Sequence, residues 1–260
     1  MKKILDMFMV KEGDDVSLFK KVLNIGIVLI MGIIIFIICI DGYDMKWSTL
    51  TQYLGKLGKG YSMTLIISFF SLIISLMLGF VFAFLNNSRI LIVHYFSKTY
   101  VEIIRGTPFL VQIIFFFYII TPALGIDNRY IMGVIILAVF SSAYVTEIIR
   151  AGIESIEKSQ HETAKAVGFT TYQKYRYVII PQVIKRIMPS LAGQLSSLVK
   201  DSSLLSVIAV SEFTLNIQEI TAINFRTYEN YIVLALGYLI ITFPISLLSK
   251  YFERKFNYES

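Results

Sequence analysis

The chain reads as an all-α, polytopic membrane protein with about six membrane-spanning helices. Three observations predict this class: 56% of the 260 residues are apolar, the mean hydropathy is +0.69, and the apolar residues are gathered into long blocks instead of a soluble helix's stripe. The formal charge of +6 reads first as the lysine and arginine excess of cytoplasmic loops, so no nucleic-acid partner is expected. The one cysteine, Cys39, lies inside an apolar run, which rules out an intramolecular disulfide. His94 and His161 lack ligand spacing, and no metal site is expected.

Taken in order, residues 1–21 are polar and precede the first apolar block, Val22–Ile40. That block is full membrane length and lacks a cleavage site with small residues, so it predicts an uncleaved helix with its N-terminus in the cytoplasm. Residues 43–60 mix Trp47, Tyr53 and Leu57 with three lysines and suit an interfacial helix or loop on the outer face. The second span is Tyr61–Leu85, closed by the turn residues Asn86, Asn87 and Ser88. Residues 90–104 carry His94, Lys98 and Glu102 among apolar positions and predict an amphipathic segment on the inner face. The third span starts near Thr107 and Pro108 and runs to Thr121 and Pro122, with proline tolerated in a first turn. The fourth is Tyr130–Thr146, the fifth Ile187–Val210 and the sixth Ile232–Leu248.

The basic residues test this map. It places eighteen of the 24 on one side, among them the N-terminal lysines, Arg89, Arg105, Arg150, Lys165 and Arg254, and only Lys46, Lys56, Lys59, Arg129 and Arg226 on the other. A miscounted helix would dilute this bias by switching the side of every later loop. Both termini and the stretch from Glu147 to Pro181 therefore belong to the cytoplasm.

That stretch is the long polar interruption of the chain. Ile153, Ile156, Thr163, Ala164 and Val167 fall near one helical face, while Glu154, Lys158 and Glu162 are four apart and can pair. Gly168 sits where a left-handed cap would end this helix of about four turns, and Thr170 with Gln173 makes a capping box for a second helix that Pro181 limits. The pattern alone is compatible with a docking surface for another protein and equally with a helix that only tethers a loop.

Glu162-Thr163-Ala164, three residues, Gly168, nine residues and Val178-Ile179-Ile180-Pro181 resemble the E-A-A-x3-G-x9-I-x-L-P signature of bacterial ABC-importer permeases. Thr163, Val178 and Ile180 depart from it conservatively. Arg105-Gly106-Thr107-Pro108, the run Ser142–Ile153 and the run Lys200–Ile208 resemble the polar amino-acid uptake branch (histidine/glutamine/arginine/cystine type), and the likeness covers about residues 50–255 in order.

The resemblance implies a five-helix permease core with one extra N-terminal helix, acting as the non-catalytic membrane subunit of an ATP-driven, binding-protein-dependent importer of a polar amino acid or a close derivative such as cystine. It implies as partners an ATP-binding-cassette ATPase subunit, a second permease copy or paralogue and an extracytoplasmic solute-binding protein, in a bacterial cytoplasmic membrane. ATPase coupling would fall to Glu162, Thr163, Ala164, Gly168 and Pro181. The chain would bind no cofactor, with ATP and magnesium on the ATPase subunit. The sequence agrees in lacking a G-x-x-x-x-G-K-[ST] loop, since no glycine–lysine pair in the cluster Gly55–Gly60 has that spacing. The expected division is 1–60 for the N-terminal tail, first helix and outer segment, 61–250 for the transmembrane domain with its coupling loop at 150–181, and 251–260 for a cytoplasmic tail.

A charge at the bilayer centre costs about 2.5–3.5 kcal/mol by insertion scales, so polar residues kept in spans point to a solute path. Ser197, Lys200 and Asp201 on the fifth span, Ser141 and Ser142 on the fourth and Gln112 on the third are the candidates. Lys200 could also snorkel outward, and membrane serines often serve packing only. A secondary transporter would require inverted repeats or a carboxylate relay, and an enzyme a nucleophile with a base; Asp201 is the one clear acid within a span, and neither pattern appears.

Overall fold

The structure is a computed structural model that describes residues 17–257. Lys2, Lys3 and Lys11 of the basic N-terminal tail lie outside the described residues. The chain divides into two compact units between Lys46 and Trp47. The first holds α1, Leu18–Cys39, an apolar helix of 22 residues whose start is capped by Ser17, its hydroxyl accepting from the Lys20 amide.

The second unit opens with a 3-10 turn, Trp47–Tyr53, that leads into α2, Leu54–Asn86. Residues 54–60 are thus part of the second helix, which starts seven residues before the expected Tyr61. Gly55, Gly58 and Gly60 sit within it, and Gly60 is buried against Asn216, where a Cβ would stand 2.4 Å from Nδ2. Next come α3, Leu91–Gly106, and α4, Phe109–Phe115, which continues through a π-helical turn, Phe116–Ile120, into the short α5, Thr121–Leu124. The helix pair 91–106 and 109–124 is bent by 109°. Helix α6 is Arg129–Glu154, one residue earlier at its start and eight residues later at its end than the expected fourth span.

Beyond it lie α7, Lys158–Ala166, and α8, Thr171–Gln173; a second π-helical turn, Lys174–Ile179, then feeds α9, Ile180–Asp201. Pro181 therefore does not end the second helix of the loop. The wide turn before it moves the backbone partner back by five residues, with the Ile180 amide on the Tyr175 carbonyl, and leaves room for a ring that cannot donate. Pro122 follows the other π turn in the same way. The fifth helix closes at Asp201, before the expected Val210, because Ser202 and Ser206 bond back to the carbonyls of Val199 and Ser203 in a 3-10 turn, Ser202–Ile208. Helices α10, Phe213–Asn224, and α11, Thr227–Asn257, complete the chain.

Among the described residues four helices are long and apolar enough to cross a membrane, or five if the bent pair is one span. Helix α9 has the length of a span, 22 residues, but is more polar, and the four or five apolar spans are roughly consistent with the expected count of about six.

The main contact is α2 on α6. Gly60, Thr64, Ser68, Ser71, Ser75, Gly79 and Ala83 of α2 are buried at spacings of three and four. Apolar burial drives little association within lipid, so small faces that admit close packing hold such helices together. Ser71 donates to the Val134 carbonyl at 3.1 Å, and Thr146 to the carbonyls of Ser142 and Gly79 at 2.8 and 3.3 Å.

A second knot ties α2, α10 and α11. Glu212 is fully buried and caps α10, accepting from the amides of Thr214 and Leu215 at 2.8 Å each and from the Tyr238 hydroxyl at 3.0 Å. Burial raises its pKa above the usual carboxylate range, opposed by those hydrogen bonds.

A Cβ added at Gly79 would stand 2.4 Å from Val145 Cγ1, and a β-branched side chain in a helix has little freedom to yield. Gly79→Ala should lower the stability of the detergent-purified protein by about 1–3 kcal/mol, the usual cost of overpacking, in a denaturant titration. Gly58→Ala, where nothing stands within 4 Å, should be tolerated.

Candidate functional site

The polar loop is built from local capping. After α6 ends, Ser155 Oγ bonds to the Gly152 carbonyl at 2.7 Å, and the Arg186 guanidinium of α9 donates to the Ser155 carbonyl. Helix α7 then closes as a Schellman motif: the Phe169 amide reaches the Ala164 carbonyl at 3.0 Å, the Gly168 amide reaches Lys165 at 2.9 Å, and Gly168 takes φ +85°. Both halves of the predicted capping box are present, Gln173 amide to Thr170 Oγ1 at 3.3 Å and Thr170 amide to Gln173 Oε1 at 2.9 Å.

Two details of the loop differ from the sequence reading. The break at residues 155–157 restarts the helix, so α7 spans nine residues instead of four turns and does not inherit the phase of Ile153 and Ile156. Val167 consequently points outward at 68% exposure, whereas Ile156 and Ala164 are buried. The same break separates Glu154 from Lys158, and Glu154 pairs with Arg150.

Glu162 and Thr163 stand exposed on α7, Gly168 makes the turn, and Pro181 is exposed at the start of α9. Ala164 packs inward. Val167, Phe169 and Tyr172 add exposed apolar surface around the Gly168 turn. The root of the loop is closely packed. A buried cluster joins Val145 and Ile149 of α6 to Ile156, Ile179, Val183 and Ile187, and a Cβ on Gly152 would stand 2.2 Å from Ile187 Cγ2.

At the same end, Glu147 accepts a two-pronged bond from Arg150, Nε at 2.9 Å and Nη2 at 2.6 Å, and lies 3.6 Å from Arg105. These residues, with Lys98, Glu102 and Tyr144, line a cleft of about 760 Å³ between α3 and α6.

The polar span residues separate into two groups. Ser141 is buried and accepts from Gln194 Nε2 of α9 at 3.2 Å, while Ser197 and Asp201 are half-buried and Lys200 is exposed. Ser142 is buried behind the Tyr100 hydroxyl at 2.6 Å. Gln112 donates to the Ile104 carbonyl at 2.7 Å and to the Thr107 carbonyl and hydroxyl at 3.1 and 2.7 Å, clamping the elbow between α3 and α4.

The sequence reading passed over Tyr100 and Glu212. Glu212, an acid two residues after the apolar run 207–210, carried a local signal; Tyr100, with partners 39 and 42 residues away, carried none. Among the described residues no group of three or more histidine, cysteine, aspartate or glutamate side chains could hold a metal ion.

Residues 75–258 match the family described as the binding-protein-dependent transport system inner membrane component. The chain is 35% identical over 215 residues to the glutamine transport system permease protein GlnP of Escherichia coli strain K12, covering 82% of this chain and 98% of that protein. It is 32% identical over 222 residues to the glutamate/aspartate import permease protein GltK of Escherichia coli O157:H7, covering 82% and 99%. A crystal structure of an amino acid ABC transporter with histidines superposes with a TM-score of 0.76 at 35% identity, covering 82% of this chain and 99% of that one. The MetNI methionine ABC transporter shares the fold, with a TM-score of 0.63 at 17% identity over 82% of this chain and 99% of that one. The chain therefore belongs to the binding-protein-dependent transport system inner membrane components, the non-catalytic permease subunits of ABC transporters.

Proposed function

We propose that this permease carries a polar amino acid, or a close derivative such as cystine, into the cell and that an ATPase subunit drives it through the 150–181 loop. The relatives named for glutamine and for glutamate and aspartate support the solute class. ATP and magnesium reside on that ATPase subunit, an extracytoplasmic binding protein delivers solute, and a second permease copy or paralogue completes the path. The termini lie in the cytoplasm of a bacterial cell, and residues 61–250 form the transmembrane domain.

The observation that carries this reading is the loop's geometry. A nine-residue helix ends in an exposed left-handed turn at Gly168, ringed by Val167, Phe169 and Tyr172, and is rooted in α6 and α9. An apolar rim around a tight turn suits insertion into a groove, and roots in two helices suit transmission of its displacement. Glu162 and Thr163 face the ATPase, Ala164 and Gly168 fix the shape of the tip, and Pro181 with its π turn joins it to α9. Lys200, Asp201 and Ser197, with Ser141 beneath Gln194, line the solute path; Ser142 and Gln112 hold its walls.

Gly168→Glu forces a side chain onto a left-handed backbone, at about 1–2 kcal/mol, and places a charge at the tip. Uptake by proteoliposomes holding the ATPase and binding protein should fall at least about tenfold. Unaltered uptake at normal protein levels would remove the docking assignment.

Asp201→Asn and Ser197→Ala should change the KM or maximal rate of uptake by roughly two- to tenfold, the scale of one lost hydrogen bond. The ATPase subunit should still copurify. If both variants transport a full amino-acid panel like the wild type, the path runs elsewhere.

A further inference from the structure

We propose that Arg105 and Glu147 form a latch that couples the elbow between α3 and α4 to the neck of the 150–181 loop, an inference that rests on that loop being the site of ATPase docking.

The elbow is a defined hinge point. The helices on its two sides meet at 109°, and the three bonds from Gln112 Nε2 to Ile104 and Thr107 fix the turn itself. Arg105, two residues before Thr107, leaves its own helix and crosses to α6. There its guanidinium lies 5.5 Å from the centre of the Tyr144 ring and 3.6 Å from the Glu147 carboxylate. A cation over an aromatic face, with a carboxylate beside it, has a defined resting place on that helix.

From Glu147 the charges run unbroken to the loop. Glu147 takes the Arg150 fork, and Arg150 Nη1 reaches Glu154 at 2.5 Å. Glu154 is the last residue of α6, and at the next residue the Ser155 carbonyl accepts from Arg186 of α9. Of the two roots of α7, this is the one through which its displacement reaches α6.

The links differ in kind. The Glu147–Arg150 and Arg150–Glu154 bonds join residues three and four apart in one helix, so they travel with α6. Arg105–Glu147 is the one charge link in the series between α3 and α6, and it is the longest. It borders the cleft of about 760 Å³, so the inner parts of α3 and α6 are not packed solid and have room to change their separation. With side-chain exposures of 41% and 29% for Arg105 and Glu147, the pair is screened by solvent and weak, too weak to hold the fold together and suited to opening and closing in each cycle.

Arg105 is thus a positioning residue: it sets the elbow according to the state of the loop. The test uses the full transporter in proteoliposomes and reads ATP hydrolysed per amino acid taken up. Arg105→Gln should raise that ratio roughly two- to fivefold, the fold-change of a partly exposed ion pair, with the ATPase subunit still copurifying. Arg105→Lys, which keeps the charge, should restore most of the coupling. In the double variant, Arg105→Gln should add little to the effect of Glu147→Gln. An unchanged ratio in Arg105→Gln, failure of the lysine variant to rescue, or additive effects would each overturn the latch. Loss of copurification in Arg105→Gln would overturn it too, by placing Arg105 in docking or folding, whereas failure of the docking reading would show separately as normal uptake by Gly168→Glu.

Discussion

Close backbone approach between α2 and α6 is the constraint on which the rest of the permease unit depends. In lipid, two apolar helices gain little by hiding apolar surface from each other, so their register must come from shape and from hydrogen bonds. The buried small-residue row of α2 supplies the shape. Gly79 lies under Val145 with no space for a methyl group, and Ser71 and Thr146 tie side-chain hydroxyls to the opposing backbone. Helix α6 is therefore fixed along much of its length, with thirteen of its 26 residues buried, among them Ile136, Leu137, Ala143 and Val145.

That fixed helix gives the polar loop its mechanical meaning. Because α6 runs to Glu154 without a joint, motion of the loop's root is motion of the helix. The contact of Gly152 with Ile187 and the bond from Arg186 to Ser155 bring α9 into the same assembly. Loop, α6 and α9 are joined by a buried cluster, and the Ser141–Gln194 bond spans the same two helices farther along. A push on α7 thus arrives at the two helices that carry Ser141, Ser197, Lys200 and Asp201. Rigid-body rocking of packed helices is a known route from such a push to a change of access.

Much of this was legible in the sequence because it is local. Membrane length, the Gly168 cap and the Thr170–Gln173 box depend on residues within a few positions of one another, and the last two recur in the structure as expected. What failed was the treatment of Pro181 and Pro122 as limits and of Tyr61 as the start of the second span. Pro181 and Pro122 ride inside helices behind π turns, and Gly55, Gly58 and Gly60 sit within α2, because an apolar surrounding penalises an unpaired backbone group more than it penalises an irregular turn. Long-range chemistry left little trace: Thr64 donates to Glu212 from 148 positions away, and nothing near Tyr100 announces that its hydroxyl will meet Ser142. Gln112 and Ser142 were chosen for polarity within spans, yet their partners lie in the protein, which polarity alone does not reveal.

The central claim, that the exposed turn after α7 is seated on an ATPase subunit, is tested most directly by cross-linking. Val167 is exposed at the tip, and Cys39 is the chain's one native cysteine, so Val167→Cys in a Cys39→Ser background offers a single reactive position. A short thiol cross-linker applied to the assembled transporter should join position 167 to the ATPase subunit, with a yield that changes when ATP is bound. Absence of that adduct, with an adduct forming instead from a cysteine at position 250 on the last helix, would contradict it.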